Sequence, residues 1–182
     1  MSTTLQRIAY SPLWLLLHSV ALLPFGALYA LSDALAWVAA SVVRYRRRLV
    51  EANIAAAFPD KTEAERRDIV KRFYRNFTDV FVETIKLLHI SDDEMRRRMV
   101  FEDIEHVERI AKDGRSIGLY CSHFGNWEWI TSITLWVYRA DNVEYSQVYR
   151  PLRNKWFDRF WFNLRKRFHS TSIPKNGVLR AS

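Results

Sequence analysis

The 182-residue chain carries 28 Lys plus Arg against 20 Asp plus Glu, a formal charge of +8, with 49% apolar and 14% aromatic residues. This composition excludes whole-chain disorder; five Gly and five Pro exclude collagen-like or low-complexity character, and a single Cys excludes a disulfide framework or an all-Cys metal cluster. The length suits one compact domain plus an anchor, and the basic excess suggests an anionic partner, whether membrane surface, nucleic acid or acidic protein.

Between Arg7 and Asp33 there is no formal charge, and Leu13 to Leu31 is almost wholly apolar. That meets the roughly 20-residue requirement of a transmembrane helix. Pro24 and Gly26 interrupt the run, and Pro kinks a helix, so a bent or re-entrant pair with both ends on one side is a second arrangement. A buried core helix is a third. The small-x-small pattern Ala34-Leu35-Ala36 resembles a signal-peptidase site, but the apolar pattern continues past it rather than into a polar mature start. A second apolar stretch, Ala34 to Val43, ends at Arg44-Tyr45-Arg46-Arg47-Arg48, where four arginines in five positions mark a cytoplasmic membrane boundary. Residues 1–48 thus read as an N-terminal membrane helix or helical hairpin with a basic edge, and residues 49–182 as the following domain.

After a short segment Asn53 to Phe58, Pro59-Asp60 breaks the chain before Thr62-Glu63-Ala64-Glu65, a capping box that predicts a long helix. Ile69, Phe73, Phe77, Val80, Thr84 and Leu88 form its expected apolar stripe. Ser91-Asp92-Asp93-Glu94 starts a short helix containing Met95 and Met99. Ile104, Val107, Ile110 and Ala111 form another amphipathic face, ended by Gly114 as a left-handed cap. Ser116 to Ser122 reads as a short buried strand, Trp127 to Tyr138 as a helix, Val143 to Tyr149 as a second strand, and Asn154 to Phe168 as a final helix. This order is that of an α/β domain.

One cluster carries chemical promise. His123 and Glu128 flank the turn residues Gly125 and Asn126 in Ser122-His123-Phe124-Gly125-Asn126-Trp127-Glu128. Five residues apart on a continuous helix they would face different ways, so a turn between them is needed. Glu128 in the first helical turn then accepts from one imidazole nitrogen and leaves the other as a base, while helix-terminal amides serve an oxyanion. The opposing reading is a hydrogen-bonded core histidine. Cys121, on the same strand face, raises a Cys-His nucleophile, although a buried structural Cys is the commoner case. His89, His106 and His123 lack metal-ligand spacing, and no metal site is expected.

These residues resemble the lipid A biosynthesis (late) acyltransferase family, within the wider group of lysophospholipid and glycerolipid acyltransferases. The similarity runs through Leu23-Pro24, Tyr45-Arg46-Arg47-Arg48, Asn53-Ile54, Phe58-Pro59, Phe73-Tyr74-Arg75-Asn76 and Glu83-Thr84-Ile85-Lys86 to the His-Phe-Gly-Asn-Trp-Glu core. A second block follows: Val148-Tyr149-Arg150-Pro151-Leu152, Asn154, Phe157, Asp158, Arg165 and Ile173-Pro174-Lys175. The resemblance implies a glycerolipid-acyltransferase-like mixed sheet flanked by helices. It also implies transfer of a fatty acyl group from acyl carrier protein to a hydroxyl of a lipid acceptor, at the cytoplasmic face of a bacterial inner membrane. No cofactor is implied. His123 would be the general base, Glu128 its orienting partner, Gly125 and Asn126 the turn beside substrate, and Arg150 and Arg153 contacts to an anionic group.

From Arg150 to Ser182 there are nine basic residues and one acid, Asp158, whereas the preceding 149 residues hold 19 of each sign. The whole excess belongs to this tail. An isolated charge run is usually a solvated helix face, but phosphates of a lipid acceptor and an acidic carrier protein both suit it here. No nucleic-acid-binding motif accompanies it, so nucleic acid is not an expected partner. Family members continue past the second block, and two expected strands do not make a stable sheet. A truncated C-terminus is therefore expected, with an inactive membrane-bound remnant or binding module as the alternative function.

Overall fold

The computed structural model describes residues 3–137 and 144–176. The chain divides into two compact units, one of Ser19–Lys86 and one of Met1–His18 with Leu87–Ser182. Helix α1 spans Thr3–Leu22, α2 Phe25–Trp37, α3 Arg47–Ala57, α4 Glu63–Lys86, α5 Asp92–Arg98, α6 Ile104–Lys112 and α7 Lys155–Arg165. The strands β1, Ser146–Tyr149, and β2, Thr171–Pro174, flank α7. The described residues are therefore mostly helical, with a smaller sheet than the mixed one expected.

In the unit Ser19–Lys86 the apolar run breaks where Pro24 demands it, and α2 continues into a π-helical turn over Val38–Val42. Phe25–Val42 is long and apolar enough to cross a membrane by length and composition. Its register differs from the expected Leu13–Leu31 span because the break falls inside that stretch. Helix α4 lies antiparallel to α2 and meets it through polar pairs. The Tyr29 hydroxyl donates to Glu83 at 2.7 Å, Ser32 to the Thr78 hydroxyl at 2.9 Å, and Arg75 to both oxygens of Asp33 at 2.7 and 3.0 Å.

This pairing turns the buried face of α4 partly away from the expected apolar stripe, of which Thr84 is buried and Ile69 packs against the core. Tyr74, Thr78 and Val82 are buried, four residues apart, while Phe73 stacks on Phe77 and Phe77 meets Phe81 edge to face along a neighbouring, more exposed face. The polar groups of α2 need partners, which Thr78, Arg75 and Glu83 supply and Phe cannot, while the Tyr74 hydroxyl donates to the Tyr45 carbonyl beyond α2. Ala36, Val50, Ile54 and Tyr74 form the apolar core that adds α3, which is longer than the short segment expected. The capping box forms as expected: the Glu65 amide donates to the Thr62 hydroxyl at 3.3 Å and the Thr62 amide to the Glu65 carboxylate at 2.8 Å. At the other end of α4, buried Lys86 donates to the carbonyls of Ala21 and Leu23 at 2.9 and 2.7 Å, satisfying acceptors freed by the helix break.

In the other unit, the Ser91 hydroxyl caps α5 through the Glu94 amide at 3.2 Å, and Gly114 follows α6 at φ +71°. Leu87, Ile90, Met95, Trp129, Leu164 and Phe168 are buried. Strand β1 begins three residues later than expected; Val143, Tyr138 and Gly177 to Ser182 lie outside the described residues. Strand β2 was not read in the sequence. It pairs parallel with β1, Ser146 against Thr171 through Tyr149 against Pro174, so β1, α7 and β2 make one crossover unit. The expected strand Ser116–Ser122 does not form; that segment is irregular and exposed, with Tyr120 99% exposed. A strand exists through its ladder, and among the described residues only β1 and β2 pair.

Two outcomes follow. Lys86→Met should lower stability by about 1–3 kcal/mol in urea unfolding, because the buried Ala21 carbonyl and the partly buried Leu23 carbonyl lose a charged donor. The Thr62 amide and hydroxyl, with Lys61 alongside, hold the Glu65 carboxyl below its ordinary pKa. Its contribution is complete above the ordinary carboxylate range and fades as pH falls through the lowered folded-state value. Glu65→Gln should flatten the acid side of the stability curve in thermal unfolding; an unchanged acid limb would refute this.

Candidate active site

The His123–Glu128 segment turns as its residue types require. Gly125 adopts φ +57°, the left-handed region that glycine enters without a Cβ penalty. The Asn126 carbonyl then accepts from the Trp129 amide at 3.1 Å, opening a helix over Trp127–Leu135. That helix is of the 3-10 type rather than the expected α-helix. Ile130, Thr131, Ile133 and Thr134 are β-branched, and Thr131 and Thr134 donate back to the carbonyls of Glu128 and Thr131, each at 3.3 Å. Such three-residue steps match the tighter 3-10 winding. Thr131, Ser132 and Thr134 are buried, and the Thr134 hydroxyl also donates to the Phe168 carbonyl.

Glu128 stands in the first turn as expected, but its partner is Arg165 at the end of α7. The guanidinium Nε and Nη2 donate to the two carboxylate oxygens at 2.9 and 2.6 Å. Both side chains are well covered, 13% exposed for Glu128 and 20% for Arg165. His123 is exposed, and its ring lies 4.9 Å from that of Trp127, tilted by 58°. The hydrogen bond expected from His123 to Glu128 is thus replaced by a fork-to-fork ion pair. The planar guanidinium matches both oxygens at once, which a single imidazole N–H does not. Cys121 is exposed, not the buried residue that the strand reading implied.

Arg150 and Arg153 are exposed, in the irregular chain between β1 and α7. Among the described residues no hydrogen bond or ion pair joins either to His123 or Glu128. Nor does any group of three or more His, Cys, Asp or Glu side chains suit a metal ion among them. Arg165 is the residue that spacing missed: it sits 37 positions from Glu128, in a tail where every basic residue looks alike. Its position in the second block was the only signal.

The start of α7 is built by Asn154, whose side-chain oxygen accepts from the Trp156 and Phe157 amides at 3.0 and 3.3 Å. Its amide nitrogen donates to the Tyr10 hydroxyl at 2.9 Å, and Tyr10 stacks on Trp156 at 4.7 Å. Aromatic packing against α1 and the Glu128 ion pair together hold α7. Arg165→Met would leave the covered Glu128 carboxylate without its counter-ion and should cost about 3 kcal/mol of unfolding free energy. Adding Glu128→Gln should recover part of that loss; a double variant no better than the single one would contradict the pairing.

The sequence profile described as "Bacterial lipid A biosynthesis acyltransferase" matches residues 3–181. The chain is 24% identical over 164 residues to a lipid A biosynthesis acyltransferase of Haemophilus influenzae, covering 87% of this chain and 50% of that protein. It is 28% identical over 126 residues to the lipid A biosynthesis lauroyltransferase of Escherichia coli, covering 68% of this chain and 41% of the relative. To lipid A biosynthesis acyltransferase 2 of Shigella flexneri it is 23% identical over 125 residues, covering 69% and 38%. The matches thus span half or less of the relatives' length. No solved structure matches significantly. With the profile matched from residue 3 to residue 181, the chain belongs to the bacterial lipid A biosynthesis acyltransferase family.

Proposed function

We propose that the chain acts in moving a fatty acyl group from an acyl carrier protein thioester to a hydroxyl of a lipid A precursor or a related glycolipid or lysophospholipid. The family match over residues 3–181, which includes the His123-Phe124-Gly125-Asn126-Trp127-Glu128 turn, is the observation that carries this reading. The proposal assigns residues 1–48 to a membrane anchor and residues 49–182 to part of the acyltransferase domain, at the cytoplasmic face of the inner membrane. The apolar helix Phe25–Val42 supports the anchor.

In this reading His123 takes the proton of the acceptor hydroxyl as its oxygen attacks the thioester carbonyl. The tetrahedral oxyanion collapses, the carbon–sulfur bond breaks, and the imidazolium returns the proton to the leaving thiolate. The exposed His123 ring is accessible to substrate. Arg165 neutralises Glu128 and occupies one lone pair on each oxygen, leaving acceptor capacity for an imidazole N–H when His123 approaches. Gly125 and Asn126 hold the turn that opens amide donors toward the reacting carbonyl. Arg150 and Arg153, exposed and basic, suit an acceptor phosphate or the acidic carrier protein. The reading uses no cofactor and no nucleic acid.

The second reading is an inactive membrane-bound remnant or binding module. The Ser116–Ser122 segment, which joins no sheet among the described residues, and the turning of Glu128 to Arg165 favour it. The two separate in one assay, incubation of the reconstituted chain with acyl carrier protein thioester and a phosphorylated glucosamine disaccharide lipid. The enzymatic reading expects a new ester-linked acyl chain and a loss of about 10²-fold or more in His123→Ala. No transfer by the unaltered chain would leave the remnant, and full turnover by His123→Ala would remove the base.

A further inference from the structure

The unit Ser19–Lys86 contains an apolar groove of about 320 Å³, lined by Leu35, Val38, Ala39, Val43, Tyr45, Thr78 and Phe81. This volume is at the small end of ligand sites, which run from about 300 to 1,000 Å³. The groove lies along the last turns of the membrane-compatible helix Phe25–Val42, including its π-helical turn, and opens beside Phe81, which is 50% exposed. At its end the chain makes a tight corner. Arg44 and Arg46 sit at φ +53° and +49°, a left-handed backbone unusual for arginine.

The corner is held from several directions. The Tyr45 amide donates to the Ala39 carbonyl at 2.9 Å, the Tyr45 carbonyl accepts from the Tyr74 hydroxyl at 2.7 Å, and the Tyr45 ring stacks on Phe77 at 5.7 Å. The arginines it presents are uncompensated. Arg44, Arg46 and Arg48 are exposed, and among the described residues none of them has an acidic partner, whereas Arg47 pairs with Glu51. The Arg46 guanidinium stands 5.8 Å from the ring of Tyr45, a groove residue, so positive charge adjoins the apolar slot directly.

We propose that this groove is a binding site for one anionic glycerophospholipid of the bilayer, with an acyl chain along Leu35, Val38, Val43 and Phe81 and its phosphate against Arg44 and Arg46. The slot is apolar where hydrocarbon would lie and cationic where a headgroup would lie, with Tyr45 at the junction that interfacial aromatics favour. Guanidinium is the side-chain group best matched to phosphate oxygens. The site rests on the anchor reading but not on acyl transfer, and no residue of the His123 turn takes part in it.

Native mass spectrometry of the full chain in dodecyl maltoside, titrated with phosphatidylglycerol and with phosphatidylcholine, tests it. The expected result is one retained phosphatidylglycerol with at least tenfold preference over phosphatidylcholine. Arg44→Asn with Arg46→Asn removes the charge while keeping a residue that accepts the left-handed backbone, and should reduce that preference at least fivefold. Val43→Trp, at an exposed position of the lining, should reduce retention of both lipids, and Arg67→Gln, at an exposed ion pair on α4, should change neither. Equal retention of the two lipids, retention unchanged in both groove variants, or a tenfold preference for a phosphorylated glucosamine disaccharide lipid would overturn the site. Flotation with vesicles reads the anchor separately, and lipid retention by His123→Ala separates the site from the catalytic reading.

Discussion

The Glu128 side chain is largely covered by protein, and taking a carboxylate out of water is costly unless a matching cation is paired with it. Arg165 supplies it with two parallel hydrogen bonds from the end of α7. That contact ties the 3-10 helix following the Gly125 turn to the β1–α7–β2 crossover. The geometry around the His123 turn follows from it: Glu128 is oriented by α7, and His123 is left at the surface beside Trp127. The buried hydroxyls of the same helix, with Thr134 bonded to the Phe168 carbonyl, extend the attachment past the end of α7.

The unit Ser19–Lys86 follows a related rule with different groups. Helix α2 is apolar on most of its surface, so apolar matching alone would leave its register on α4 weakly defined. Tyr29 with Glu83, Ser32 with Thr78 and Asp33 with Arg75 set one antiparallel register between α2 and α4. Lys86 closes the ladder on the carbonyls left open at the break before Pro24. One consequence is that Phe73, Phe77 and Phe81 are displaced from the core onto an outer stripe. Together with the corner at Tyr45, this stripe gives the unit an apolar surface edged by arginine.

Chemistry local to a few residues was legible from the chain itself. The helix break at Pro24, the caps at Thr62 and Ser91, the left-handed cap at Gly114 and the turn at Gly125-Asn126 each arise from residues within four positions of the backbone they serve. The family, too, was legible, because its motifs lie in short blocks spread from Leu23 to Lys175. The misread elements depend on distant partners. Ser116–Ser122 has strand composition but no ladder among the described residues, while β2 is too short and polar to announce itself without β1.

The amino-acid sequence therefore determined the family, the breaks and caps of the helices, and the turn that separates His123 from Glu128, since each of these is written in contiguous residues. Only the tertiary structure decided which cation meets Glu128, which face of α4 is buried and which arginines have no acidic partner among the described residues. These are choices among chemically equivalent groups, and distance in space, not position in the chain, makes them.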